Sequence, residues 1–295
     1  MQGGEPRDGR GIATTHEAGS VEAFRASWSS LPASERYHFR RGEPETQVQF
    51  AFQNHWRIFR NVMGELRGGR ALEVGCGRGS MAAYFADAGF ETHLLDTSVD
   101  ALRIARRNFE EDGLAGAPLC GDALALPYRD GSFDVVVSIG LLEHFADVEP
   151  PLLEQLRVLR KGGVLLGYVV PERPISVQTL AAPINALLRL EALVRRGRTT
   201  VKVRKDPLYR NDFEPEHYLR ILSRAGAEEA ASFGMFPLPL ISHSHRFPFS
   251  PMSPNRERRL IALWRRILAR RARAGGDPWA CDERWGLAFL VWARK

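Results

Sequence analysis

The string ALEVGCGRGS, at positions 71–80, constrains this chain more than any other stretch. An apolar run stops at Gly75, and Gly77 and Gly79 follow at alternate positions. Glycine tolerates the left-handed backbone of a tight turn and lacks the Cβ that would hold a ligand away. In an open α/β sheet, such a turn closes the first strand at the crevice where ligands bind. The loop alone does not choose the ligand. The dinucleotide spacing G-x-G-x-x-G wants a glycine at position 80, which is Ser80, and the pattern here is E-x-G-x-G-x-G from Glu73.

The rest of the chain fits that sheet. Apolar runs at 70–75, 91–96, 117–121, 133–139, 164–170, 229–234 and 287–293 alternate with helical stretches, which predicts seven strands in an α/β fold. The run at 133–139 is almost wholly apolar, as a strand buried on both faces must be. Helices are expected over 80–88, with Gly89 as the stop, from a T-x-x-D start at Thr97 and Asp100 to Gly113, over 150–159 and over 215–225. The core of a single domain, 21–295, then comprises about 69–171, 213–236 and 286–295. Three additions surround it: 21–68, with Phe50, Phe52, Trp56 and Phe59 spaced for one helical face, 172–212 and 238–284. Residues 1–20, rich in Gly, Thr and charge, read as a disordered tail.

The second and third strands supply what the glycine loop lacks. Asp96 ends the second, 17 residues past Gly79, where a carboxylate can accept from both hydroxyls of a ribose. Asp122 follows the third, within reach of an adenine amine. Either acid alone is an ordinary cap or turn residue. In register at successive strand ends, they describe a nucleoside site.

With these residues in place, the chain resembles the class I S-adenosylmethionine-dependent methyltransferases, in the small-molecule branch close to ubiquinone-biosynthesis enzymes. LEVGCGRG (72–79), HLLDTS (93–98), GDALALPYRDGSFDVVVSIGLLEHF (121–145) and LRVLRKGGVLLG (156–167) carry the resemblance. It implies a seven-stranded Rossmann-like sheet with the last strand antiparallel. It also implies S-adenosyl-L-methionine as cofactor, with contacts at Glu73, Gly75, Cys76, Gly77, Gly79, Asp96, Thr97, Asp122, Ala123 and Ser138, the last within a backbone contact at 138–140.

Methyl transfer from a sulfonium is an in-line displacement, and a general base is needed only for a protonated acceptor. His144, in SIGLLEHF, is the candidate base; Tyr37, His38, Tyr168, Glu172, His243 and His245 mark loops that can close over an acceptor. The expected reaction is transfer to an O or N atom of a small molecule under a lid. The alternatives are an enzyme of a membrane surface acting on a lipid or prenylated quinone, and a regulatory protein that binds the cofactor without turnover.

Charge separates the partners. The net charge is +6, yet 188–205 holds seven basic residues against one acid and 254–275 holds eight against one, leaving the rest of the chain acidic. Both segments, taken as 176–205 and 254–273, read as amphipathic helices with a basic side, candidates for peripheral membrane contact. No aromatic-interleaved basic patch points to nucleic acid. Cys76, Cys120 and Cys281 show neither metal nor disulfide spacing, so no metal is expected. The first 20 residues lack the pattern of a secretory signal, and no apolar run reaches membrane-spanning length. A cytoplasmic protein, at most peripheral to the inner face of the membrane, is the expectation.

Overall fold

The computed structural model describes residues 20–31, 36–196, 208–243 and 249–295. The expected tail at 1–20, His245 and the basic run past 196 lie outside these residues, except for Ser20.

Five parallel strands form the half of the sheet that carries the glycine loop. These are β1 (Arg70–Val74), β2 (Glu91–Asp96), β3 (Ala117–Cys120), β4 (Phe133–Ile139) and β5 (Leu159–Val169). Three more complete it: β6 (Glu229–Met235), β7 (Ala280–Cys281) and β8 (Ala288–Arg294). The order is β3-β2-β1-β4-β5-β8-β6-β7, with β8 antiparallel to both β5 and β6. The strand order reverses between β1 and β4, so the crevice opens at their carboxyl ends.

The sheet therefore has eight strands among the described residues, not seven. The extra one, β7, pairs only Cys281 with Gly234 and Ala280 with Met235, too short to leave an alternating pattern in the sequence. β5 also begins earlier than expected, at Leu159. Its register against β4 jumps between Phe133 and Val135, and Gly162 sits in the left-handed region at the irregularity.

The helices are α1 (Ser20–Ser29), α2 (Gln47–Met63), α3 (Ala82–Asp87), α4 (Val99–Glu111), α5 (Glu149–Val158), α6 (Val177–Leu180), α7 (Ala182–Arg196), α8 (Pro215–Arg224) and α9 (Pro254–Arg273). Alternate strand residues feed two cores. Leu94, Val135, Val137 and Leu166 pack with α2, α3, α4 and α9 on one face, and Leu72, Val74, Val136 and Leu165 pack with α5 and α8 on the other. Two helix starts depart from expectation. α4 is capped by Ser98, whose hydroxyl accepts from the Ala101 amide at 3.3 Å, so Thr97 is one residue early. α3 begins at Ala82, because Ser80 stays in the turn and its hydroxyl accepts from the His38 amide at 3.0 Å.

α2 turns a different face inward from the one its aromatics suggest. Gln47, Ala51, His55, Ile58 and Met63 are buried with Phe50 and Phe59, while Phe52 and Trp56 are half-buried at the flank. Trp56 finds its partners there, stacked on Tyr84 and edge-on to Phe85.

Buried amides tie the additions together. The Gln47 side chain donates to the Ile241 carbonyl and to Glu257, and accepts from the indole of Trp264. Gln178 and Asn185 both donate to the Leu240 carbonyl at 3.0 Å. Each amide is satisfied, and each joins segments far apart in the chain.

Candidate functional site

β1 ends at Val74, and the chain makes its turn through Gly75, Gly77 and Gly79, all at positive φ (70°, 52° and 77°). The Gly75 and Cys76 amides both donate to the Leu95 carbonyl, at 2.8 and 3.0 Å, which pins the loop to the end of β2. Glu73, facing the loop from β1, accepts from the Ala82 amide at 2.7 Å and so fixes the start of α3. Its burial pushes the carboxyl up to about 8. Cys76 is buried, and burial raises its thiol well above the ordinary value, which leaves it a small apolar side chain of the loop.

Asp96 is nine-tenths buried at the carboxyl end of β2. One carboxylate oxygen accepts from the Gly77 amide and the other from the Ser98 amide, each at 2.8 Å. Burial raises its pKa, and the amides of Ser98, Gly77 and Thr97 pull the other way. The Gly121 amide donates to the Asp96 carbonyl at 3.1 Å, which brings the next loop alongside. Asp122 in that loop accepts from the Leu124 amide at 3.0 Å, and Ala123 is buried beside it. Ser138 lies at the end of β4, paired with Val74 on one side and Gly167 on the other, and its hydroxyl is buried without a partner among the described residues. The structure thus brings the ten expected cofactor residues to one end of the sheet.

His144 follows β4 in a single 3₁₀ turn, Leu142–His144. It is buried, its Nδ1 lies 2.6 Å from the Tyr209 carbonyl, and its ring is edge-on to Phe24. A carbonyl only accepts, so Nδ1 carries the proton, and Nε2 lies 3.9 Å from Glu143 Oε1. Tyr37 and His38 do not point to a base. The Tyr37 hydroxyl is engaged by Asp112 at the far end of α4, and His38 is edge packing against Phe52.

Three features escaped the sequence reading. α1 lies over the loop: Trp28 covers Gly77 closely enough that a Cβ there would reach to 2.8 Å from the ring, and Arg78 stacks on the same indole. Glu143 is buried to 1% exposure beside His144, with one oxygen unpartnered among the described residues, and burial pushes its carboxyl up to about 7. His55 is 3% exposed within rings of Phe52, Tyr168, Phe236 and Trp279, the nearest centroid at 4.6 Å. Both of its ring nitrogens and the Trp279 indole nitrogen lack partners among the described residues, and burial pushes His55 down to about 3. Only the spacing of Gln47, Ala51 and His55 at every fourth residue could have flagged that face.

Comparison with known proteins decides what kind of core this is. Residues 72–167 match the family model described as a methyltransferase domain. Over this third of the chain, the sequence is that of a methyltransferase domain. A demethylmenaquinone methyltransferase of Renibacterium salmoninarum is 35% identical over 37% of this chain and 45% of its own length. The O-methyltransferase rstn1 of Aspergillus nomiae is 32% identical over 42% of this chain and 56% of its own. The chain thus spans about half the length of these relatives. The fold match extends further. A solved structure described as the conversion of a disulfide bond into a thioacetal group during echinomycin biosynthesis superposes with a TM-score of 0.52 and 19% identity, covering 93% of this chain and 91% of that one.

Proposed function

We propose that this chain transfers the methyl group of S-adenosylmethionine to an O or N atom of a small-molecule acceptor. The observation that carries the reading is Asp96, held by the Gly77 and Ser98 amides at the end of β2. A carboxylate has about four acceptor positions. Two are taken by those amides, and the remaining two suit a ribose diol. The left-handed loop needs glycine at 75, 77 and 79 because Leu141, Trp28 and Leu94 stand where a Cβ would project, and Cys76 and Glu73 lie behind it. Asp122, Ala123, Thr97 and Ser138 would complete the cofactor contacts.

The bound cofactor would supply a methyl group already activated by its sulfonium. The protein's part is to hold an acceptor in line, keep water out and, for a hydroxyl, take a proton. His144 is proposed for the proton, at Nε2. The segments 21–68, 172–212 and 238–284 are proposed to enclose the acceptor. Relatives named for demethylmenaquinone and for O-methylation support an acceptor of this size. Isothermal titration with S-adenosylmethionine tests the reading, and absence of heat at millimolar ligand would refute it. Transfer of a labelled methyl group to an acceptor would exclude a purely binding role.

We also propose peripheral contact with a membrane surface through the basic segments 176–205 and 254–273. Among the described residues, no helix is long and apolar enough to cross a membrane. Co-sedimentation with vesicles tests the contact.

A further inference from the structure

We infer that the outward face of α7, not α9, is the element that docks, and that it enters an anionic lipid surface apolar side first. The inference rests on the proposed membrane contact and assigns it to one helix. α9 is built as a surface helix normally is. Ile261, Trp264 and Leu268 are buried on one stripe, and Arg258, Arg259, Arg265, Arg266 and Arg270 are exposed.

α7 is built the other way round. Its most buried residue is polar: Asn185, at 0% exposure, donates to the Leu240 carbonyl and accepts from the Ser242 amide at 3.1 Å. The large apolar residues face out. Leu180 just before the helix, and Ile184, Leu187, Leu190, Leu193 and Val194 within it, are all exposed, Leu187 to 67% and Val194 to 78%. They recur at intervals of three and four, so they share one side of the helix axis. A contiguous apolar stripe of this kind on a water-facing helix marks a surface that meets another apolar phase.

The flanks identify that phase. Past Val194 the sequence turns positive, with Arg195, Arg196, Arg198, Lys202, Arg204 and Lys205 before a single acid at Asp206. The one acid within α7, Glu191, is held by Arg256 of α9 at 2.8 Å. At the amino-terminal side, the Val177 amide donates to the Trp285 carbonyl at 3.0 Å, and the Trp285 side chain is 58% exposed. An apolar stripe followed in sequence by a positive run, with an exposed indole near its other end, complements an anionic bilayer, where acyl chains, headgroups and interfacial rings occupy successive depths.

The test uses the full chain and two vesicle preparations, phosphatidylcholine alone and phosphatidylcholine with phosphatidylglycerol. Wild type is expected to float with the anionic vesicles. Leu187→Glu with Leu190→Glu, both at exposed positions, is expected to weaken that binding on the order of a hundredfold. Its circular dichroism and its affinity for S-adenosylmethionine should stay those of wild type. Equal binding by wild type and the double variant would overturn the assignment to α7 and leave the α9 arginines as the contact. Failure of wild type to bind either preparation would overturn the membrane contact itself. Concentration-dependent dimers that the same two substitutions abolish would overturn lipid as the occupant.

Discussion

At the end of β2, Asp96 accepts from two amides and Glu73 from a third, so the buried carboxylates of the cofactor side have their protein partners in place. Around the ends of β4 and β5, the arrangement is the opposite. His55, Trp279 and one oxygen of Glu143 are buried without partners among the described residues. A buried polar atom with no partner costs about 1–3 kcal/mol. The difference teaches that the two halves are prepared differently. The proposed cofactor side is a finished frame, whereas the ends of β4 and β5 hold buried polar atoms without protein partners among the described residues.

Replacing polar groups on the two sides should therefore have opposite consequences. The largest effect is expected from Asp96→Ala. It removes the proposed ribose acceptor and releases the Gly77 and Ser98 amides, so affinity for S-adenosylmethionine should fall by about 100- to 1,000-fold, that is about 3–4 kcal/mol, in calorimetric titration. An unchanged affinity would break the comparison at its stronger end.

Glu143→Gln should instead stabilise. The folded carboxyl stays protonated up to about pH 7, against an ordinary value of 4.5. Its contribution is therefore present in acid and lost as pH rises from 4.5 through 7. The glutamine is neutral throughout, so denaturant melts above that range should show a gain of up to about 3 kcal/mol. A loss of stability there would mean that the carboxylate is matched after all.

His55 is displaced in the other direction, from 6.5 down to about 3. A histidine held neutral in the fold contributes stability that is present above pH 6.5 and is lost as pH falls towards 3. Wild type should lose about 2 kcal/mol from this group between pH 7 and pH 5. His55→Phe should abolish that share of the acid loss while leaving cofactor affinity alone, as melts at the two pH values would show. The smallest effect is expected from Trp28→Ala. It strips the cover from Gly77 without touching Asp96, and a severalfold weaker cofactor affinity in the same titration would place α1 over the bound molecule.

The same two halves differ in how far the sequence discloses them. The cofactor side is written locally: glycines at alternate positions, an acid at the end of a β-branched run, a second acid one strand on. Each feature is fixed by the backbone a few residues away, so pattern reading reaches it, although it misses that Ser98 rather than Thr97 caps α4, that α3 begins at Ala82 and that Trp28 covers Gly77. The cluster around His55 is assembled at a distance. His55 meets Phe236, just past β6, and Trp279, just before β7, across nearly two hundred residues of chain or more. The aromatics of α2 drew attention to Phe52 and Trp56, which sit at the flank, and away from the histidine that the core encloses. The two basic helices show the same limit. Their sequences look alike, and only the tertiary contacts of Asn185 and Trp264 reveal that one faces its apolar side out and the other in.

The buried amides of Gln47, Gln178 and Asn185 also bear on how acceptor preference could be changed. Each joins a segment that precedes the sheet, or interrupts it, to the stretch at 240–242. A chimera that imports one of these segments from a relative would leave at least one such amide facing a stranger. Exchange of the segments as a matched set keeps every donor with its acceptor, so specificity in this scaffold should move by the whole ensemble and resist piecemeal grafting.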